Sequence, residues 1–448
     1  MSGSSLTYAE ALAAIESRGR YGIRLGLGRV RALLRELGDP QLEVRGALVA
    51  GTNGKGSVIA LASAALRAAG YRVGETPKPH LVTYRERIVV DGRPIDPVVF
   101  ASLVAEVLPL ADRVARRLGP PTEFELLTAV MFLHFARSRL DLALVEVGLG
   151  GRLDATNVWD GGVAVLTNVG LDHTAQLGPT IAAIAREKVQ IVKRGDLAVT
   201  GADGEALTIM RRRCARLGVP LAVARPAPIL GWTRDALRVD VPGLGDVDVG
   251  LRGRHQAANV AVVDALLDAL GAAGLATVPA DARRRGYADA RWPGRLELVT
   301  VDGREVLLDG AHNEDGARAL AAALDDLAPH LAPGPLTLVW AAMADKDVAA
   351  TVRAVAASPL LDGATVVCTA VALPRAMTPD ALATAWRDGA AAAGRSVRVR
   401  TAPSPTAALD DALAGGTGPV VVAGSLYLVG EVRGRLVDDP LLRDPVPA

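Results

Sequence analysis

The run Leu48-Val49-Ala50-Gly51-Thr52-Asn53-Gly54-Lys55-Gly56-Ser57 holds, in order, the residue types that cradle a chain of phosphates. Its apolar start predicts a strand, and its glycines predict a turn whose backbone N–H groups can approach phosphate oxygens. The run Val58–Ala69 predicts a helix, whose N-terminus adds partial positive charge. In such a loop Thr52, Asn53, Gly54 and Gly56 line the phosphates, Lys55 reaches the outer ones, and the Ser57 hydroxyl faces a magnesium ion. The spacing departs from the common Walker pattern, because the position five before Gly54 is Val49. Strand, glycines, lysine and serine in this sequence point to a nucleoside triphosphate, against the bland alternative of a turn with no chemistry.

Three further side chains have the types and places to work beside such a loop. Glu146 closes the apolar run Leu142–Val147, directly before Gly148-Leu149-Gly150-Gly151-Arg152-Leu153-Asp154. His173 follows the run Val163–Thr167, and Lys188 sits on the next helix. A carboxylate and a neutral imidazole at strand ends can hold a divalent ion between phosphates and a second substrate. Taken singly, a strand-end Glu is more often a cap or ion-pair member, and a lone His is more often structural. Residue usage supplies an independent pointer. Only five of the 50 basic residues are lysine, namely Lys55, Lys78, Lys188, Lys193 and Lys346. A lysine in so arginine-rich a chain offers what arginine cannot, a compact amine that can lose its proton. Asparagine is equally scarce, and Asn157 and Asn168 flank the same segments. Lys193 lies outside any motif and reads as a solvated helix end.

These residues need a scaffold, and the hydrophobic pattern supplies one. Helices are expected at Tyr8–Ile15 and Val30–Leu37, then strands and helices alternate from Arg45 to Thr200, with a small hairpin turning at Asp91-Gly92. That alternation predicts a parallel α/β sheet. Between Ile229 and Leu251 the period changes to antiparallel hairpins, followed by a helix over Gln256–Leu270 and a hinge at Trp292-Pro293-Gly294. A second α/β run follows, with strands near Val306–Leu308, Leu336–Trp340, Thr365–Thr369, Val397–Arg400 and Val420–Ala423. The domains are therefore expected at residues 1–294 and 295–448, with a mobile Pro- and Asp-rich tail from Asp438.

Composition excludes several classes. At 448 residues and 50% hydrophobic, the chain can bury large cores. A net charge of +1 leaves no bulk field for nucleic acid or an anionic membrane. The mean hydropathy of +0.26 comes from Ala, Val and Leu in runs too short to span a bilayer. The N-terminal segment carries Glu10 and Glu16 and no cleavable apolar run, so no signal peptide is expected. Two distant cysteines, Cys214 and Cys368, fit a reducing cytoplasm.

Together the phosphate loop, Leu144–Asp154, Leu171-Asp172-His173-Thr174, Ile184–Lys188, Trp292–Glu297 and Asp309-Gly310-Ala311-His312-Asn313 resemble the folylpolyglutamate synthase/dihydrofolate synthase family of the Mur ligase superfamily. The resemblance runs in the family's order from about Gly22 to Gly430. It implies a P-loop-type doubly wound ATPase domain of the Mur central type, joined to a smaller Rossmann-like Mur ligase C-terminal domain. It further implies a monomeric amide ligase that uses ATP and magnesium to turn a carboxylate into an acyl phosphate, which the amino group of glutamate attacks. By position, Asn53–Ser57 and Asn259 contact ATP, Arg295 reaches the phosphates, and Asp309 and His312 touch the nucleotide. Glu146, His173 and Ser57 hold magnesium, with Lys188 as a carbamate. Lys346 and Ser425 match further family segments, and Arg20–Gly28 and Thr122–Glu125 resemble the pterin-side ones.

One segment departs from that pattern. Where the family has Thr/Ser-Ser-Pro-His, with the second serine on a magnesium, this chain has Thr76-Pro77-Lys78-Pro79-His80. A lysine repels a metal ion and attracts a phosphate or carboxylate. Either water and Ser57 complete the metal shell, or Lys78 replaces part of the metal's charge, or it holds an acidic substrate. Lys78, His80, Asp154, Lys346 and Ser425 are candidates for the substrate side, and the acid acceptor is either dihydropteroate or a folate, or a non-folate acid of specialised metabolism. A non-catalytic nucleotide sensor is the alternative from another class, and it would not need Lys55, Glu146, His173 and Lys188 together.

Overall fold

The computed structural model describes residues 6–22 and 24–445, without the side chains of Arg20 and Tyr21. Two compact units emerge from the packing. The first comprises Met1–Pro226, Ala258–Tyr287 and Pro440–Ala448, and the second Ala227–Ala257 and Ala288–Asp439.

The first unit is built on eight strands: β1 (Gly46–Ala50), β2 (Val73–Thr76), β3 (Val89–Val90), β4 (Arg93–Pro94), β5 (Leu142–Glu146), β6 (Gly162–Leu166), β7 (Leu197–Thr200) and β8 (Leu221–Val223). They form one sheet in the order β4-β3-β2-β5-β1-β6-β7-β8. From β2 to β8 the pairing is parallel, and β3 and β4 add an antiparallel edge. The β3–β4 turn uses Asp91 and Gly92, both at positive φ, as two-residue hairpins require. Because β5 and β6 flank β1, their carboxyl ends open together at the switch point where α/β sheets bind ligands. Residues 46–50 and 142–146 are buried without interruption, as expected of strands covered on both faces. Helices Lys55–Ala68, Pro97–Leu118 and Glu123–Arg137 cover the sheet. A core of Leu48, Val145, Phe100, Phe132, Phe135 and Trp159 holds the layers together.

The second unit carries β9 (Ile229–Trp232), β10 (Leu237–Val241) and β11 (Gly245–Val249) as an antiparallel sheet. Its other strands are β12 (Glu297–Val301), β13 (Arg304–Leu308), β14 (Thr337–Trp340), β15 (Thr365–Cys368), β16 (Arg398–Thr401) and β17 (Val420–Ala423). These form a sheet in the order β12-β13-β17-β14-β15-β16, parallel except for the β12–β13 hairpin. Its own core centres on Trp340, Trp386, Leu338 and Val421.

By packing, the hairpins at 229–249 and residues 288–294 group with the second unit. The cause is long-range pairing: Arg234 pairs with Glu305, Arg252 donates to the Leu296 carbonyl at 3.2 Å, and Arg254 pairs with Asp326. The tail is also held. The Arg85 guanidinium donates to Asp444 Oδ1 at 3.0 Å and to the carbonyls of Leu441 (2.9 Å) and Arg443 (2.8 Å), and Thr83 Oγ1 donates to Asp444 at 2.6 Å. A buried guanidinium has five donors to satisfy, and the tail satisfies three of them. Lys193, expected in solvent, is instead part-buried and donates to Asn157 Oδ1 at 2.9 Å.

Candidate active site

The loop after β1 is shaped by its neighbours. Gly54 sits at φ +81° as the N-cap of the 14-residue helix Lys55–Ala68, and a Cβ there would come within 2.4 Å of Asn259 Oδ1. Only glycine satisfies both demands. Asn53 N–H donates to Asn168 Oδ1 at 2.9 Å, Thr167 Oγ1 donates to the Asn53 carbonyl at 2.6 Å, and Thr52 Oγ1 donates to the Gly170 carbonyl at 3.1 Å. The segment after β6 thus holds the loop after β1, which leaves the helix N-terminus open to an anion. Lys55 Nζ folds back onto the carbonyls of Gly51 (3.2 Å) and Thr52 (3.0 Å). This cradle fits a chain of phosphates. Thr167 and Asn168 went unassigned at the level of motif, although the scarcity of asparagine already marked Asn168.

Glu146 ends β5 next to this loop and is buried. Its backbone N–H donates to Thr76 Oγ1 at 2.9 Å, which joins the ends of β5 and β2. One carboxylate oxygen lies 3.8 Å from Lys55 Nζ, and the other accepts from Lys78 N at 3.0 Å. Lys78 Nζ donates to the Glu146 carbonyl at 2.6 Å and lies 4.4 Å from the centre of the Phe124 ring. Burial pushes the Lys78 amine down to about 8, opposed by the charges of Asp154 and Glu146.

Lys188 is buried and donates to the Gly51 carbonyl at 2.8 Å. Burial pulls its amine down to about 7, and the neighbouring charge of Lys55 acts in the same direction, against Asp172 and Asp154. The structure therefore brings Lys55, Lys78, Glu146 and Lys188 around the ends of β1 and β5. Ser57 is buried in the first turn of the helix. His173 stands apart in character: its side chain is 47% exposed, its φ is +52°, and Asp172 Oδ2 lies 3.9 Å away.

Two substrate-side expectations have structural employment. Asp154 accepts from Leu149 N (2.8 Å), Thr156 N (3.0 Å) and Thr156 Oγ1 (2.5 Å), which fixes the Gly148–Asp154 turn. His80 accepts at Nδ1 from Arg87 Nε at 2.8 Å, and burial beside that guanidinium pushes it down to about 3, so it stays neutral. The Thr122–Glu125 segment is a capping box whose Glu125 also accepts from Arg29 Nε at 3.0 Å. Part of the Arg20–Gly28 segment, namely Ile23 and the side chains of Arg20 and Tyr21, lies outside the described residues.

The remaining expected residues lie in the second unit. Buried Asp309 accepts from Leu296 N and Ala311 N, both at 2.9 Å, and burial raises it against the Arg295 charge. His312 Nδ1 donates to the Gly310 carbonyl at 2.8 Å. Arg295 donates to the Gly294 carbonyl at 3.1 Å. Ser425 caps the helix Leu426–Leu436, and Lys346 is part-buried in the turn after Met343.

No helix among the described residues is long and apolar enough to cross a membrane. Also among the described residues, no group of three or more His, Cys, Asp or Glu side chains gathers to hold a metal.

Comparison with known proteins accords with this arrangement. Residues 294–426 match the family described as "Mur ligase, glutamate ligase domain". Dihydrofolate synthase/folylpolyglutamate synthase of Bacillus subtilis is 37% identical over 76% of this chain and 80% of its own length. The structure of Mycobacterium tuberculosis folylpolyglutamate synthase complexed with ADP superposes with a TM-score of 0.84 at 33% identity, covering 97% of this chain and 100% of that one. That of E. coli FolC in complex with DHPP and ADP gives a TM-score of 0.81 at 30% identity, covering 97% and 99%. With relatives alike over nearly its whole length, the chain belongs to the folylpolyglutamate synthase/dihydrofolate synthase family of Mur ligases.

Proposed function

We infer that this protein is an ATP-dependent amide ligase that adds L-glutamate to dihydropteroate, to a tetrahydrofolate, or to both, releasing ADP and phosphate. The observation that carries the reading is the gathering of Lys55, Glu146 and Lys188 on the glycine cradle after β1. Its support from relatives is that the M. tuberculosis structure contains ADP and the E. coli one DHPP and ADP.

The reaction runs in two balanced steps. A carboxylate oxygen of the acid forms a bond to the γ-phosphorus of ATP, the bond from that phosphorus to the bridging oxygen breaks, and ADP leaves with the electron pair. The glutamate nitrogen then bonds to the acyl carbon and loses a proton, and inorganic phosphate leaves. Lys55 and the helix N-terminus hold the triphosphate against its own charge, and Asn53 and Asn259 fix the cradle. Magnesium, when bound, supplies charge that neutralises the transferring phosphoryl oxygens. The chain would hold it through Ser57 and Glu146, with His173 and phosphate oxygens, as magnesium sites commonly do. Lys188 would join them after its neutral amine adds carbon dioxide, forming an N–C bond and releasing a proton. Arg295, Asp309, His312, Lys346 and Ser425 are assigned to the nucleotide and amino-acid side on resemblance.

A second reading, an acid other than a folate, draws on Lys78, since a part-buried lysine changes the charge the acid meets. The expectation of a monomeric cytoplasmic enzyme acting on small molecules, without nucleic acid or membrane, rests on the family and on a net charge of +1. The deciding experiment is ADP release by the purified protein with glutamate plus dihydropteroate, and then with glutamate plus tetrahydrofolate. Release that requires acid and amine together is expected with at least one of them; release with neither acid sinks the folate reading.

A further inference from the structure

Lys78 is attracted through space by Asp154 and Glu146 but makes no direct ion pair with either. Its Nζ makes one hydrogen bond, to a carbonyl and not a carboxylate, and rests on the Phe124 ring. Among the described residues no carboxylate forms an ion pair with it, and Asp154, whose charge attracts it most, spends its oxygens on Leu149 and Thr156. An ammonium has three donors, so two are left for a partner. A part-buried cation with no direct ion-pair partner gains when an anion reaches hydrogen-bonding distance.

Placement narrows the anion. Glu146 is shared, because its Oε1 lies 3.8 Å from Lys55 Nζ while its Oε2 and carbonyl accept from Lys78. Lys78 thus packs on Glu146 and the Phe124 ring, within the field of Asp154. A Cβ at Gly148 would meet Phe124 Cζ at 2.9 Å and Asp154 Oδ2 at 3.1 Å, so glycine permits this close packing. An aromatic face beside a lone ammonium suits an aromatic or otherwise apolar carboxylic acid.

Building on the ligase reading, we propose that Lys78 binds the acceptor carboxylate of the acid substrate and the acyl phosphate formed from it, and that it sets the preference of this site for an anionic acceptor. Its backbone N–H, fixed on Glu146, holds the ammonium in place while the substrate changes.

The test compares binding of dihydropteroate with its neutral carboxamide, in the presence of ADP, by calorimetry. Wild type is expected to favour the acid by roughly ten- to a hundred-fold, the effect of a charge-assisted hydrogen bond. Lys78→Met keeps the stem against Phe124 and should bind acid and amide alike, while Lys78→Arg should regain part of the preference. ADP affinity should be unchanged in both variants, which also shows that they fold. A wild-type preference surviving in Lys78→Met, or a loss that falls on ADP, overturns the assignment and leaves the ligase reading standing. A wild type that releases no ADP with any pteroate or folate acid overturns the function, and this assignment with it.

Discussion

At the scale of single residues, Lys188 shows why residue type matters more than charge. It is buried against the Gly51 carbonyl, and its amine is pulled down to about 7, so near neutrality a large fraction is unprotonated. Only that form adds carbon dioxide. Lys188→Arg keeps a cation of similar reach but cannot form a carbamate. The variant is expected to lose roughly 100-fold or more of its turnover, as loss of a ligand-side group does, while keeping its circular dichroism spectrum. With 13C-bicarbonate, wild type should show a carbamate signal that grows as pH climbs through 7, and the variant none. Turnover at the wild-type rate in Lys188→Arg would remove the carbamate from the mechanism.

Among the elements, β2 carries a strain in charge that the site tolerates. Glu75 is fully enclosed, accepts from Ser63 Oγ at 2.6 Å, and is raised above the usual carboxylate value by desolvation. A folded-state value above the unfolded one means that the native state holds the extra proton. Its contribution is then most favourable below the ordinary carboxylate range and is lost as pH rises through the raised value. Glu75→Gln replaces the protonated acid by a neutral mimic. It is expected to melt about 2–4 °C above wild type at pH 7 and level with it near pH 4, in calorimetric scans at both values. A variant less stable at pH 7 would mean the ionised carboxylate has a compensating partner.

For the whole molecule, the chain passes between the two units four times, and the last passage brings the tail back to the first. There Arg85, 4% exposed, sits in the segment 83–87 that follows the Lys78–His80 loop. Glu86 ties that segment to the backbone of Leu81, Val82 and Thr83, and Arg87 reaches His80. Removing residues 440–448 strips Arg85 of three acceptors. Since Asp444 is itself 35% exposed, the loss is about 2 kcal/mol and not the full cost of breaking a buried pair. Urea denaturation should show an earlier first transition in the truncated chain, with Asp444→Asn intermediate between it and wild type. An unchanged transition would show that Arg85 finds other acceptors.

Local chemistry was enough to read the phosphate loop, the Asp91-Gly92 hairpin and the period of both α/β runs, because each depends on residues only a few positions apart. The same kind of signal was present and passed over at Asp302-Gly303, where both residues adopt positive φ and join β12 to β13. Other features depend on partners hundreds of residues away. The 229–249 strands belong with the second unit because Arg234 and Arg254 find Glu305 and Asp326, and the tail is ordered because Arg85 is buried. The resemblance marked Lys78 only as a departure at a site position; that its ammonium would turn to the Glu146 carbonyl and an aromatic ring followed from packing that no local pattern encodes. Periodicity and turn chemistry act over one element, whereas burial and charge pairing act between elements that only folding brings together.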